Sequence, residues 1–196
     1  MVDEFLKILE NKVVTLVNDS NGHHIIQKAL SSLKPEQNQF IFDEIESKVM
    51  EVAMHKQGCC VMQRCIDFTN NEQRVTQQIF LMFTPIKEKL AMAVVKCGIP
   101  LVQDQYGNYV VQYILEQQGL EDQKHEISEI LSKHILNLSK QKFSSNVLEK
   151  CVKLDIGNFR SAMFEVLQNP EQLPYMITDE YANYGKNSGD LINLFF

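Results

Sequence analysis

Five windows of the chain carry side chains that could do chemistry, and they recur at a regular distance. Each opens on a small residue (Gly22, Gly58, Gly107, Ser144, Ala182) and closes on Gln27, Gln63, Gln112, Glu149 or Asn187, at spacings of 36, 49, 37 and 38 residues. Side chains four apart on a helix project from one side, which pairs His23 with Gln27, Cys59 with Gln63, Asn108 with Gln112 and Ser145 with Glu149. The residue after each first member lies about 100° further round; these are His24, Cys60, Tyr109 and Asn146. Rows of hydrogen-bonding groups at a fixed repeat suit a linear polymer read one monomer per repeat.

The chemistry of each pair narrows that polymer to one with nucleobases. Ionised Glu149 only accepts, and Ser145 gives or takes, so the pair matches the two adjacent donors on guanine's Watson–Crick edge. Asn108 and Gln112 each carry a donor and an acceptor, matching uracil. Gln63 beside the small Cys59 leaves room for adenine and can bond its amino group and ring nitrogen. Tyr109 offers a face for stacking, worth about 1–3 kcal/mol per base. Unpaired edges of this kind belong to single-stranded RNA.

Other chemistries fit less well. Cys59 and Cys60, with His55 and Cys65 nearby, contain no CxxC pair, so no metal is expected. His23 and His24 lack a nucleophile or acid at suitable spacing, so no catalytic residue is assigned; their alternatives are base contact and a solvated surface. Lys28, Arg64 and Lys150 directly follow the fifth residue of their windows, with Tyr113 in that place in the third. They are candidates for phosphate contact, for pairing with a neighbouring repeat, or for plain solvation.

The elements that position these groups read as helices. Phe5, Leu9, Val13 and Leu16 form one apolar stripe; Ile41, Ile45, Val49 and Val52 form another; Ile127, Leu131, Ile135 and Leu138 form a third. Each repeat therefore reads as a helix followed by a second that opens with the window. The third and fourth window residues are expected in the core: Ile25/Ile26, Val61/Met62, Val110/Val111 and Val147/Leu148. Cys65 and Cys151 share the place of Ala29 and Ile114, which makes them core residues too. Neither helix can bury its stripe alone, so neighbours stack. The long second interval, whose extra residues fall in the third repeat, is read as a lengthened or added helix over Phe83–Lys96, with Thr84 and Pro85 breaking or kinking it.

Composition bounds the rest. The chain has 196 residues, 44% of them hydrophobic, which is enough for a folded core. A net charge of −6 argues against coating nucleic acid by bulk charge, though not against reading bases singly. Charge is expected to segregate, with acidic outer helices (Asp43, Glu44, Glu46, Glu126, Glu129) and a neutral-to-basic inner face. Five cysteines without a paired framework point to reduced intracellular thiols. No apolar run approaches membrane-span length, and the first residues lack the pattern of a secretory signal.

Cys59-Cys60-x-x-Gln63, Asn108-Tyr109-x-x-Gln112 and Ser145-Asn146-x-x-Glu149 together resemble the Pumilio/PUF family of RNA-binding proteins, as do the segments at 103–107 and 142–146. One base per repeat is that family's known rule. The resemblance implies an all-α fold, a right-handed superhelical α-solenoid of armadillo-like repeats over residues 1–196, with approximate repeats 3–35, 36–71, 72–120, 121–157 and 158–196. Their order is similar to the second half of an eight-repeat domain. It further implies that His24, Cys60, Tyr109, Asn146 and Tyr184 stack on bases, and that later repeats meet the 5′ side of the RNA. Asn183 with Tyr184 then implies U, Ser145/Glu149 G, Asn108/Gln112 U and Cys59/Gln63 A, giving 5′-UGUA. The base met by His23/Gln27 stays open. Gly185, Lys186 and Asn187 depart from the family pattern in the last window. Also implied are binding to mRNA 3′ untranslated regions, lowered translation or stability, deadenylase or translational-repressor proteins on the outer face, a monomer without cofactor, and a cytoplasmic location. The alternative is an α-solenoid protein-interaction scaffold whose RNA surface has degenerated.

Overall fold

The computed structural model describes residues 2–67 and 77–182, and among them there are helices and no strand. The chain divides into two compact units, residues 1–97 and 98–196. No helix of the described residues is long and apolar enough to cross a membrane.

The first unit holds α1 (Val2–Leu9), α2 (Val13–Asn18), α3 (Gly22–Ser32), α4 (Pro35–Ser47), α5 (Val49–Ala53), α6 (Lys56–Asp67) and α7 (Gln77–Lys96). The second holds α8 (Gly98–Gln103), α9 (Gly107–Glu116), α10 (Glu121–Ser132), α11 (Ile135–Ser139), α12 (Ser144–Lys153), α13 (Phe159–Gln168) and α14 (Leu173–Thr178). The same arrangement recurs within each. A short helix (α2, α5, α8, α11) packs on the window-bearing helix that follows it (α3, α6, α9, α12). Successive window helices pack on each other, α3 on α6 and α9 on α12, and the intervening helices likewise, α4 on α7 and α10 on α13. The core lies between these layers, with Ile26, Val61, Met62, Ile41 and Ile45 buried in the first unit and Val110, Val111, Leu131, Val147 and Leu148 in the second.

Three expectations are corrected. Each of the first four repeats has three helices among the described residues, because the stripes taken as single helices are interrupted. Lys48 leaves helical geometry at φ −131° and ψ 32°, separating α4 from α5, and His134 does so between α10 and α11. Asn11, at φ 63°, occupies the left-handed region that ends α1 before α2 begins. No glycine or proline marks these breaks, which is why periodicity ran through them.

Pro85 does not break its helix: α7 runs from Gln77 to Lys96 with the proline inside. The ring is exposed, the side on which water can replace the backbone bond that proline removes. Finally, Ile25 and Phe5 are not core, being 43% and 40% exposed. The equivalents of Ile25 in α6 and α12, Val61 and Val147, are fully buried where those helices pack on the preceding window helix.

Candidate nucleic-acid interface

Each described window helix makes a close approach near its start, at the first residue of α3, α9 and α12; α6 does not open with its window as expected but begins two residues earlier, at Lys56. A Cβ on Gly22, Gly58 or Gly107 would lie 2.7, 2.1 or 2.8 Å from the carbonyl oxygen of Leu16, Val52 or Leu101, in each case six residues back in the short helix. The fourth repeat solves the same contact differently: Ser144 Oγ donates to the Leu138 carbonyl at 2.6 Å, again six residues back. Small residues therefore let each short helix pin the window helix at one register.

A second device is an aspartate ahead of the window. Asp19 Oδ1 accepts from the amides of Asn21 (2.9 Å) and Gly22 (2.6 Å). Asp104 Oδ1 accepts from Tyr106 and Gly107, both at 2.8 Å, and Asp179 Oδ1 from Tyr181 and Ala182 at 2.9 and 3.0 Å. At the starts of α3 and α9 these bonds satisfy amide donors that a helix start leaves orphaned. The Gly22 and Asn21 amides hold the Asp19 carboxyl below its usual range. In the second repeat His55 stands in this place, its Nδ1 facing the Gln57 amide at 3.3 Å. Sequence reasoning missed these acids, although Asp-x-x-Gly at 19 and 104 and Asp-x-x-Ala at 179 were there to find.

With the helix start fixed, the window side chains take up their positions. The first members are tucked against the preceding turn: Cys59, Asn108 and Ser145 are only 5, 1 and 4% exposed. Cys59 Sγ donates to the Lys56 carbonyl at 3.2 Å, Asn108 Nδ2 to Asp104 at 2.8 Å, and Ser145 Oγ to Lys142 at 3.3 Å. In α3, His23 Nδ1 lies 3.0 Å from the Asp19 carbonyl. The fifth members, Gln27, Gln63, Gln112 and Glu149, are half-buried, with part of each side chain open to solvent. First and fifth do share a side, since Gln112 Nε2 donates to Asn108 Oδ1 at 2.9 Å. Gln112 retains a second N–H and its carbonyl oxygen, enough to meet uracil's imide donor and one of its acceptors.

The second members stand outward. Tyr109 is 56% exposed, His24 and Cys60 are exposed, and Asn146 is half-buried with Nδ2 on the Lys142 carbonyl at 3.2 Å. The His23 and His24 rings approach to 3.9 Å at 37°. Lys28 and Arg64 are exposed. Lys150 is half-buried, and its ammonium pairs with Glu116 at the end of α9, in the neighbouring repeat. Glu149 pairs with Lys153 one turn on, a partner that sequence reasoning did not single out.

The expected acidic outer residues do more than meet water. Glu44 Oε1 accepts from the Val14 amide at 3.0 Å, serving the start of α2, and Glu46 pairs with Lys89 of α7 at 2.8 Å. Cys65 and Cys151 are fully buried, as core residues should be, and burial pushes both thiols up to about 12. Among the described residues no three His, Cys, Asp or Glu side chains cluster closely enough to hold a metal. Asn183 and Tyr184, with the departures at Gly185, Lys186 and Asn187, lie outside the described residues.

The model of the Pumilio-family RNA binding repeat matches this chain four times, at residues 12–46, 48–76, 99–131 and 134–167. The chain therefore belongs to the Pumilio family of RNA-binding repeat proteins, and its fold class is the all-α solenoid. A Pumilio domain-containing protein of Schizosaccharomyces pombe is 39% identical over 176 residues, covering 90% of this chain and 24% of that protein. Pumilio homology domain family member 4 of Saccharomyces cerevisiae is also 39% identical over 176 residues, covering 87% of this chain and 18% of its own length. This chain thus spans less than a quarter of the length of either relative. Among solved structures, the Puf4 RNA binding domain bound to the HO endonuclease RNA 3′ UTR recognition sequence superposes with a TM-score of 0.75 at 35% identity. That match covers 93% of this chain and 55% of the other. The family model begins each repeat at the short helix, a different phase from one that begins ahead of it.

Proposed function

We propose that this chain binds single-stranded RNA by sequence, reading a 5′-UGUA core with one base per repeat. Guanine goes to Ser145 and Glu149, the following uracil to Asn108 and Gln112, and adenine to Cys59 and Gln63. The 5′ uracil goes to Asn183, stacked by Tyr184, on the strength of the sequence. His24, Cys60, Tyr109 and Asn146 supply the faces between bases, and Lys28 and Arg64 supply phosphate contacts. His23 and Gln27 meet the nucleotide after the adenine.

One observation carries the reading. Gln63, Gln112 and Glu149 occupy the same half-open position on helices held by the same small-residue contact, and the pairs they form with Cys59, Asn108 and Ser145 differ in what each can donate or accept. A general protein-binding solenoid has no need for that combination of fixed geometry and varied edge chemistry. The similar Puf4 structures are bound to the Cox17 and HO endonuclease RNA 3′ UTR recognition sequences, which supports mRNA 3′ untranslated regions as the targets. The action that follows is repression of translation or stability in the cytoplasm, by a monomer whose outer face recruits deadenylase or repressor proteins.

Fluorescence anisotropy with labelled 5′-UGUA and 5′-ACUA oligonucleotides tests the reading. Preference for UGUA is expected. Equal or absent binding would return the chain to the protein-scaffold alternative.

A further inference from the structure

We propose that Lys153 is a positioning residue for guanine recognition, orienting the Glu149 carboxylate through their ion pair. The proposal rests on the assignment of α12 as the guanine reader.

Three observations point to it. Ser145, Glu149 and Lys153 succeed one another at four-residue steps, so they form a single row on α12. The Lys153 ammonium is bonded to Glu149 Oε1, with side chains 47% and 21% exposed. The place of Lys153 in the other described window helices is taken by Ser31, Asp67 and Glu116, so the cation stands only where the fifth reader is a carboxylate. Lys150, the other lysine beside Glu149, is engaged by Glu116 across the repeat boundary.

The geometry allows lysine and guanine on one carboxylate. Two carboxylate oxygens offer about four lone-pair sites. Guanine's N1–H and amino group use one site on each oxygen, and lysine, one turn further along, uses another on Oε1. Holding the glutamate in one rotamer removes an ordering cost that the RNA would otherwise meet on binding. The lysine charge also offsets a carboxylate that would otherwise face the phosphate chain. Because the pair is half-exposed, the effect on affinity is small, about two- to fivefold.

A four-protein cycle tests this by anisotropy: wild type, Lys153→Met, the double variant Ser145→Asn with Glu149→Gln, and the three changes together. Circular dichroism checks that each is folded. Lys153→Met is expected to weaken UGUA binding about two- to fivefold and UAUA binding less, narrowing the preference for G. Lys153→Arg should restore it, and in the double-variant background Lys153→Met should leave UUUA binding unchanged. An unaltered G preference in Lys153→Met overturns the proposal. So do equal losses in both backgrounds with a salt dependence shallower by about one ion, which would mark Lys153 as a phosphate contact. If wild type shows no preference for UGUA at all, the guanine assignment itself fails and this inference falls with it.

Discussion

Replacing Gly58 by alanine puts a methyl group 2.1 Å from the Val52 carbonyl oxygen, 2.9 Å from its carbon and 3.1 Å from Asn18 Oδ1. A relaxed carbon–oxygen contact is about 3.3–3.6 Å, so α5 and α6 must separate by roughly 1 Å. The two tightest contacts are to backbone atoms, which no rotamer change can move aside. Overpacking of this kind costs about 1–3 kcal/mol, and the clash at Gly58 belongs at or beyond the upper end. Alanine's helix propensity returns about 1 kcal/mol. The net loss is about 2 kcal/mol, or a fall in Tm of roughly 4–8 °C for a chain of this size. Gly22→Ala and Gly107→Ala, with approaches of 2.7 and 2.8 Å, should cost less, and Gly107→Ser least, because Ser144 already fills that place in the fourth repeat by bonding Leu138. Thermal and urea melts followed by circular dichroism rank the four variants. A Gly58→Ala protein as stable as wild type would refute the view that these glycines are kept for close approach.

Two further outcomes follow from named side chains. The lowered carboxyl of Asp19 stabilises the fold fully above about pH 4 and ceases to do so as pH falls through its folded value. Asp19→Asn should therefore be less stable than wild type near neutrality, the gap closing in acid; a pH series of urea midpoints checks it, and a gap that widens in acid would reverse the sign. Tyr109→Ala should weaken RNA binding by about 1–3 kcal/mol with the order of base preference intact, because stacking tolerates any base. A changed preference in competition assays would make Tyr109 an edge reader instead.

The windows were legible in the sequence because two signals coincide there. Helical periodicity identifies the buried fourth residue, as at Ile26, Met62, Val111 and Leu148, and the polar pairs beside it announce hydrogen-bonding chemistry. What was not legible depends on contacts that a one-dimensional pattern does not carry. The breaks at Lys48 and His134 come from backbone geometry on residues with no breaking tendency. Ile25 looks identical to Val61 in sequence, and only the helix packed over the latter separates them. The Asp19, Asp104 and Asp179 turns were visible as spacing but their meaning required seeing which amides they serve. The pairing of Glu149 with Lys153 was readable as a four-residue step, yet the same step between Gln112 and Glu116 leads elsewhere, to Lys150.

The central claim is that base identity is set by the first and fifth window residues, and the fourth repeat offers the cleanest test. Exchanging Ser145→Asn and Glu149→Gln gives α12 the pair that α9 carries, without altering its small-residue start or its packed residues Val147 and Leu148. Dissociation constants of wild type and the double variant for UGUA and UUUA then form a square. The predicted result is a crossover: wild type favours UGUA, the variant favours UUUA, and UGUA loses about 1–3 kcal/mol on the exchange, by analogy with bidentate base contacts. A variant that still prefers G would contradict the account.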